Sequence, residues 1–175
     1  LLNQKNFIGT LFNNTSLTDI NWQHLAVLSA VLNQFTIITG GPGTGKTTTV
    51  AKILSLMYAV NPVLKVALAA PTGKAANRMS ESLKQAHFLD ISTKETVDKL
   101  EPMTIHRLLG TIRDSIYFKH NTENPIPYDL VVIDESSMID AALFSKLMDA
   151  ISPTTKIILL GDKDQLASVE AGSLF

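Results

Sequence analysis

Cysteine is absent from the 175 residues, which removes disulfides, thiolate metal sites and cysteine nucleophiles together. The four histidines, His24, His87, His106 and His120, stand too far apart to suggest a local zinc motif, so any metal is expected to be oxygen-bound. Long apolar runs are also missing. None approaches the ~18 residues a membrane-spanning helix needs, and Leu1-Leu2-Asn3-Gln4-Lys5 lacks the charged-then-apolar layout of a signal peptide. The cytoplasm is therefore the expected compartment, with no membrane partner. Nor is there an excess of positive charge: fifteen basic against sixteen acidic residues leave a net −1, so binding to nucleic acid would need a local patch.

What is present fits a globular α/β chain. Hydrophobic residues make up 45% and charged residues 18%, too apolar for a disordered chain, and the length suits one domain with a sizeable core. Charge is uneven along it. Nine of the sixteen acids lie at or after Glu123, against Lys146, Lys156 and Lys163, which makes that half suited to a cation. The chain begins without Met and stops at Phe175 directly after Ala171-Gly172-Ser173, and so reads as an excerpt of something longer.

No repeat at a period of 20 to 50 residues is present. Short aliphatic runs at 35–39, 66–70, 130–133 and 156–160 alternate with helical spacing at 47–59, 74–87 and 141–151, the pattern of a mainly parallel sheet covered by helices on both faces. An earlier amphipathic helix is expected over 22–32, with Asn21 as N-cap and Leu25, Leu28, Val31 and Leu32 on its inward face. The stretch 114–128, with Pro125, Pro127, Asn121 and Asn124, reads as a surface loop or a poorly ordered insertion.

The strongest signal is Gly40-Gly41-Pro42-Gly43-Thr44-Gly45-Lys46-Thr47, a full match to the phosphate-binding loop, set between a strand and a helix. Its backbone N–H groups and the helix N-terminus form a nest for the β-phosphate, Lys46 bridges β- and γ-phosphate oxygens, and the Thr47 hydroxyl is the expected Mg2+ ligand. Residues 41–48, Thr48 included, are expected to contact the nucleotide. The bland alternative is a glycine-rich turn with a solvated lysine, which the strand-before, helix-after context disfavours. Val131-Val132-Ile133-Asp134-Glu135 reads as a buried strand delivering two carboxylates to the ligand-binding edge. Asp134 is expected to hold Mg2+ and Glu135 to act on the attacking water. Ser136, Ser137 and Asp140 are expected as helix-entry caps. Gln165, after the strand at 157–160, is the candidate γ-phosphate sensor, since an amide both donates and accepts; the alternative is a surface Gln after a helix-start Asp.

In order, Asn21-Trp22-Gln23, the phosphate loop, Ala70-Pro71-Thr72-Gly73-Lys74-Ala75-Ala76, Val132 to Ser137 and Leu160 to Gly172 carry a resemblance to the superfamily 1 DNA helicases. Within them the chain resembles the RecD branch, the alpha subunits of exodeoxyribonuclease V. Many superfamily relatives have two prolines where Ala167-Ser168 stands here, a departure that itself resembles RecD.

The resemblance implies a RecA-like P-loop NTPase fold, with 21–175 as a first motor domain and 1–20 as the end of a preceding one. It implies ATP and Mg2+ as ligands, single-stranded DNA as the track, 5′ to 3′ movement, and RecB and RecC as partners in repair and recombination. Gln23 is implied to read the adenine edge, and Pro71, Thr72, Gly73, Lys74, Thr104 and His106 to hold the DNA strand. Physically, Lys74 or Arg78 could contact DNA phosphate. A Thr-Gly helix cap and a half-buried His106 are the bland alternatives. Other readings are an ATPase switch that remodels protein partners and a small-molecule kinase; Glu135 beside Asp134 suits water activation and argues against the kinase.

Overall fold

The computed structural model describes residues 21–88 and 90–162. Asn21 caps the first helix, α1 (Trp22–Leu32), by accepting a hydrogen bond from His24 N at 3.1 Å. β1 (Phe35–Thr39) follows, then α2 (Lys46–Val60), β2 (Val66–Ala70) and α3 (Gly73–Gln85). Next come α4 (Ile91–Asp98), the two-residue β3 (Met103–Thr104), α5 (Ile105–Leu109), β4 (Leu130–Ile133), α6 (Ala141–Asp149) and β5 (Lys156–Gly161). α4, β3 and α5 have no counterpart in the sequence-based expectation. They are short, eight residues or fewer, and each helix is held by a local cap, Asp90 for α4 and Thr104 for α5.

All five strands run parallel in the order β1-β5-β4-β2-β3. Alternation along each strand divides the core into two layers. On one face Leu130, Val132, Ile158 and Leu160 pack with Ile53 and Leu54 of α2 and Met79 and Leu83 of α3. On the other, Val131, Ile133, Ile157 and Leu159 pack with Leu109 of α5 and Leu143 and Leu147 of α6. Burial of each such side chain is worth about 1.5–3 kcal/mol, so both faces must stay covered. Among the described residues no helix is long and apolar enough to cross a membrane.

The inward face of α1 differs from the expectation. Leu25 and Leu32 are 49% and 79% exposed, whereas Val27 and Ala30 are sealed. The helix carries two apolar stripes, 25/28/32 and 27/30/31, which periodicity cannot rank. Packing chose the one with alanine, with Ala26 and Val31 beside it, and so brought α1 against α2. The 114–128 stretch is a loop as expected, yet firmly pinned: Ile126 is buried in the second core layer, and His120 N donates to Leu109 O.

Candidate functional site

A parallel sheet sends all its strand ends to one edge, and the loops after β1, β4 and β5 meet there. They line a cavity of about 440 Å³ walled by residues 41–47 together with Arg78, Asp134, Glu135, Ser137 and Asp162. The loop 40–45 is shaped by two left-handed glycines, Gly43 (φ +75°) and Gly45 (φ +86°), the latter serving as the N-cap of α2. Thr44 Oγ1 donates to Gly41 O at 2.8 Å and closes the loop on itself. Lys46 Nζ donates to Gly40 O and, at 3.0 Å, to Gly41 O. Thr47 and Asp134 line the same cavity, as the sequence predicts for a shared ligand. The Thr48 side chain does not line it: one residue further along α2 it is turned by about 100°, although its amide stays in the helix's first turn.

Gln23 is brought to this loop from α1, its Nε2 donating to Thr44 O at 3.3 Å. It lines a second cleft of about 420 Å³ that shares Thr44 and Lys46 with the first and is otherwise largely apolar, with Trp22, Leu25 and Ile37 in its wall.

At the end of β4 the two carboxylates part company. Asp134 Oδ1 accepts from Glu135 N at 2.8 Å, and Glu135 takes a left-handed φ of +50°, uncommon for a residue with a side chain. That conformation starts a single 3-10 turn over Ser136–Met138 and turns Glu135 away from the line of the strand. Burial pushes the Asp134 carboxyl above its ordinary range; the Glu135 amide and the positive charge of Lys46 oppose this in part. Such a carboxylate is short of compensating charge, a condition that a cation relieves.

The three residues expected as caps divide. Asp140 is one, accepting from Leu143 N at 2.7 Å at the start of α6. Ser136 instead donates to Leu160 O at 2.8 Å and ties the turn to β5. Ser137 Oγ is buried without a hydrogen-bond partner among the described residues. The reason is the left-handed Glu135, which inserts a 3-10 turn before the helix and leaves the serines inside. Gln165 lies outside the described residues.

The segments expected to hold DNA are separated by more than thirty residues in sequence and adjacent in space, because β2 and β3 pair with Ala70 beside Thr104. Thr72 caps α3 by accepting from Ala75 N at 3.2 Å, and Thr104 caps α5 by accepting from Arg107 N at 3.2 Å. Both hydroxyl oxygens therefore have structural work. Pro71 is half-buried, and Gly73 and Lys74 are exposed. His106 is exposed and meets Phe118 edge-on at 5.7 Å, so it is not the half-buried histidine of the bland alternative. Arg78, grouped by sequence with Lys74, lines the phosphate-loop cavity.

Among the described residues no group of three or more His, Asp or Glu side chains gathers as a metal site. Of the oxygens that line the cavity, the Thr47 hydroxyl and the Asp134 carboxylate are the pair expected to share a cation, hard donors that suit Mg2+ when phosphate oxygens and water complete its shell.

Residues 23–171 match the family model described as AAA domain. The chain is 44% identical over 159 residues to the RecBCD enzyme subunit RecD of Mycolicibacterium smegmatis, covering 87% of this chain and 29% of that protein. It is 40% identical over 140 residues to the ATP-dependent RecD2 DNA helicase of Deinococcus radiodurans, covering 80% of this chain and 17% of that one. Among solved structures, the UvsW helicase from bacteriophage T4 superposes with a TM-score of 0.57 at 13% identity, covering 90% of this chain and 60% of that chain, a likeness of fold. The chain thus spans less than a third of the length of the curated relatives it matches. Its fold is that of a RecA-like P-loop NTPase, the resemblance to RecD drawn from its motifs is borne out, and the chain belongs to the AAA domain family.

Proposed function

We propose that this chain is the first motor domain of an ATP-dependent DNA helicase of RecD type, spanning 21–175, with 1–20 closing a preceding domain. The observation that carries the reading is the convergence of the phosphate loop, Asp134 and Glu135 on one cavity at the carboxyl edge of the sheet. The triphosphate lies in that cavity, its β-phosphate held by loop amides and the first-turn amides of α2, Thr48 included. Lys46 exchanges its two carbonyl partners for phosphate oxygens. Thr47 and Asp134 are the residues that would hold Mg2+, which supplies charge neutralisation between the β- and γ-phosphates. Glu135 orients the attacking water and takes its proton, and Gln165 senses the γ-phosphate. The base extends into the second cleft, where the Gln23 amide pairs with adenine's adjacent donor and acceptor.

Lys74, Thr72, Gly73, Pro71, Thr104 and His106 hold single-stranded DNA, and hydrolysis alters their grip. Likeness to the RecD proteins supports movement 5′ to 3′, a cytoplasmic setting, and assembly with RecB and RecC in repair and recombination. A second RecA-like domain supplies arginines to the γ-phosphate. Because such a finger is worth roughly 10³ to 10⁵ in rate, residues 1–175 alone are expected to bind ATP weakly and hydrolyse little.

The test has two arms on the full-length protein. Lys46→Ala should abolish ATP binding. Lys74→Ala should weaken binding to a single-stranded oligonucleotide while leaving ATP affinity intact. ATP turnover that DNA does not stimulate would refute the helicase reading in favour of a protein-remodelling switch, and robust DNA-stimulated ATPase from residues 1–175 would refute the need for a second domain.

A further inference from the structure

Arg78 stands on the wall of the phosphate-loop cavity, facing the same space as Lys46, Asp134 and Glu135. It is exposed, and among the described residues no carboxylate lies within ion-pair distance of it. Lys46 is already bonded to two loop carbonyls. Arg78 is therefore a cation at a triphosphate-sized cavity whose five N–H donors are not taken up by an acidic side chain. Guanidinium groups match the geometry of phosphate oxygens through paired hydrogen bonds.

Its place on α3 adds a second consequence. Helix side chains tilt toward the N-terminus of their helix, so Arg78 leans back toward the sheet edge where the cavity opens. Lys74 lies four residues earlier, on the same stripe of α3 and about 6 Å away along the axis. Ala75, Ala76, Met79 and Leu83, on the opposite side, are buried, so the helix is seated against the sheet as a rigid piece.

We propose that Arg78 is a ligand of the terminal phosphate, supplied in cis from α3, and that this helix carries nucleotide state to the strand-holding group Lys74. The proposal rests on the nucleotide reading above and deepens it: a phosphate contact and a strand contact share one helix face. Loss of the terminal phosphate releases Arg78, and α3 shifts as one piece, carrying with it the first turn, where Thr72 caps it and Lys74 projects.

The test compares Arg78→Gln, Arg78→Lys and Lys46→Ala in the full-length protein, with Mg2+ present, by equilibrium binding of ADP and of ATPγS. Arg78→Gln should leave ADP affinity within about twofold and weaken ATPγS by roughly tenfold or more, the factor of one charged hydrogen bond. Arg78→Lys should recover part of that loss. The change in oligonucleotide affinity between the ADP and ATPγS states should shrink toward none in Arg78→Gln. Equal effects on both nucleotides, or none on either, would overturn the proposal. So would weakened oligonucleotide binding without nucleotide, with nucleotide affinities unchanged, which would make Arg78 a DNA contact. Lys46→Ala reports separately on the site: if it leaves both nucleotides bound, the phosphate-loop reading itself fails.

Discussion

Alanine substitutions along the phosphate loop separate a backbone cost from a contact cost. Gly43 and Gly45 both hold left-handed φ angles. An alanine there loses about 1–2 kcal/mol against its right-handed conformation. At Gly43 an added Cβ would meet nothing within 4 Å, so the backbone cost stands alone. At Gly45 it would overlap Gln23 Nε2, the free end of a side chain that can swing away. Swinging away gives up the 3.3 Å bond to Thr44 O, at the lower end of the ~0.5–1.5 kcal/mol of a neutral hydrogen bond. At Gly41 the added Cβ would touch only Thr44 Cγ2 at 3.9 Å, ordinary contact.

For a domain of this size each kcal/mol moves the melting midpoint by about 2–4 °C. Differential scanning calorimetry without nucleotide should therefore show little change for Gly41→Ala, a fall of about 4–5 °C for Gly43→Ala and about 6 °C for Gly45→Ala. In a Gln23→Ala background the Gly45→Ala fall should shrink to that of Gly43→Ala. If Gly41→Ala falls as far as Gly43→Ala, left-handed geometry is not the source of the cost. If the Gly45→Ala excess persists without the Gln23 side chain, the contact with α1 is not either.

Further outcomes follow from the caps and buried polar groups. Burial pushes Asp90 upward, but hydrogen bonds from Ser92 and Thr93 outweigh it and the net shift is below the ordinary 3.8. Its stabilisation is thus complete above the unfolded value and is lost as pH falls through the folded one; urea midpoints across the acid range should lose part of their pH slope in Asp90→Asn. Thr72→Ala should cost about 1 kcal/mol through the lost cap, whatever its effect on DNA, whereas Thr72→Ser should keep the stability and serve as the cleaner binding probe. Gly73→Ala should raise the melting midpoint slightly, since its Cβ meets nothing within 4 Å, yet weaken oligonucleotide binding if the strand passes close to the backbone. Ser137→Ala should be neutral or stabilising by up to about 1 kcal/mol without ligand, because it removes a buried hydroxyl that has no partner among the described residues; a loss of stability would show that the hydroxyl is bonded.

Much of the sheet was legible in advance because β2, β4 and β5 are short aliphatic runs buried on both faces and β1, at the edge, is a short apolar run buried on one; their bounds agree with the sequence to within one residue. The small elements were not. β3 is two residues long and exists because Met103 and Thr104 pair with Ala69 and Ala70, a contact across more than thirty residues that no local pattern announces. The inward face of α1 was read correctly at Val31 and wrongly at Leu25 and Leu32 for a related reason: the helix is apolar on more than one side, and only the partner surface decides which side is buried.

The phosphate-loop motif and the carboxylate pair were determined by the sequence itself, because both rest on local features: glycines where φ turns positive, a lysine at a helix start, and acids at the end of a buried strand. What only the folded chain decided was company. It brought Gln23 of α1 onto Thr44, set Thr104 beside Ala70, swung Glu135 away from Asp134 through a left-handed residue, and turned Arg78 to the phosphate cavity. Those relations depend on which helix face the sheet accepts and which strands lie side by side, and both are settled by packing across distances that a linear pattern does not encode.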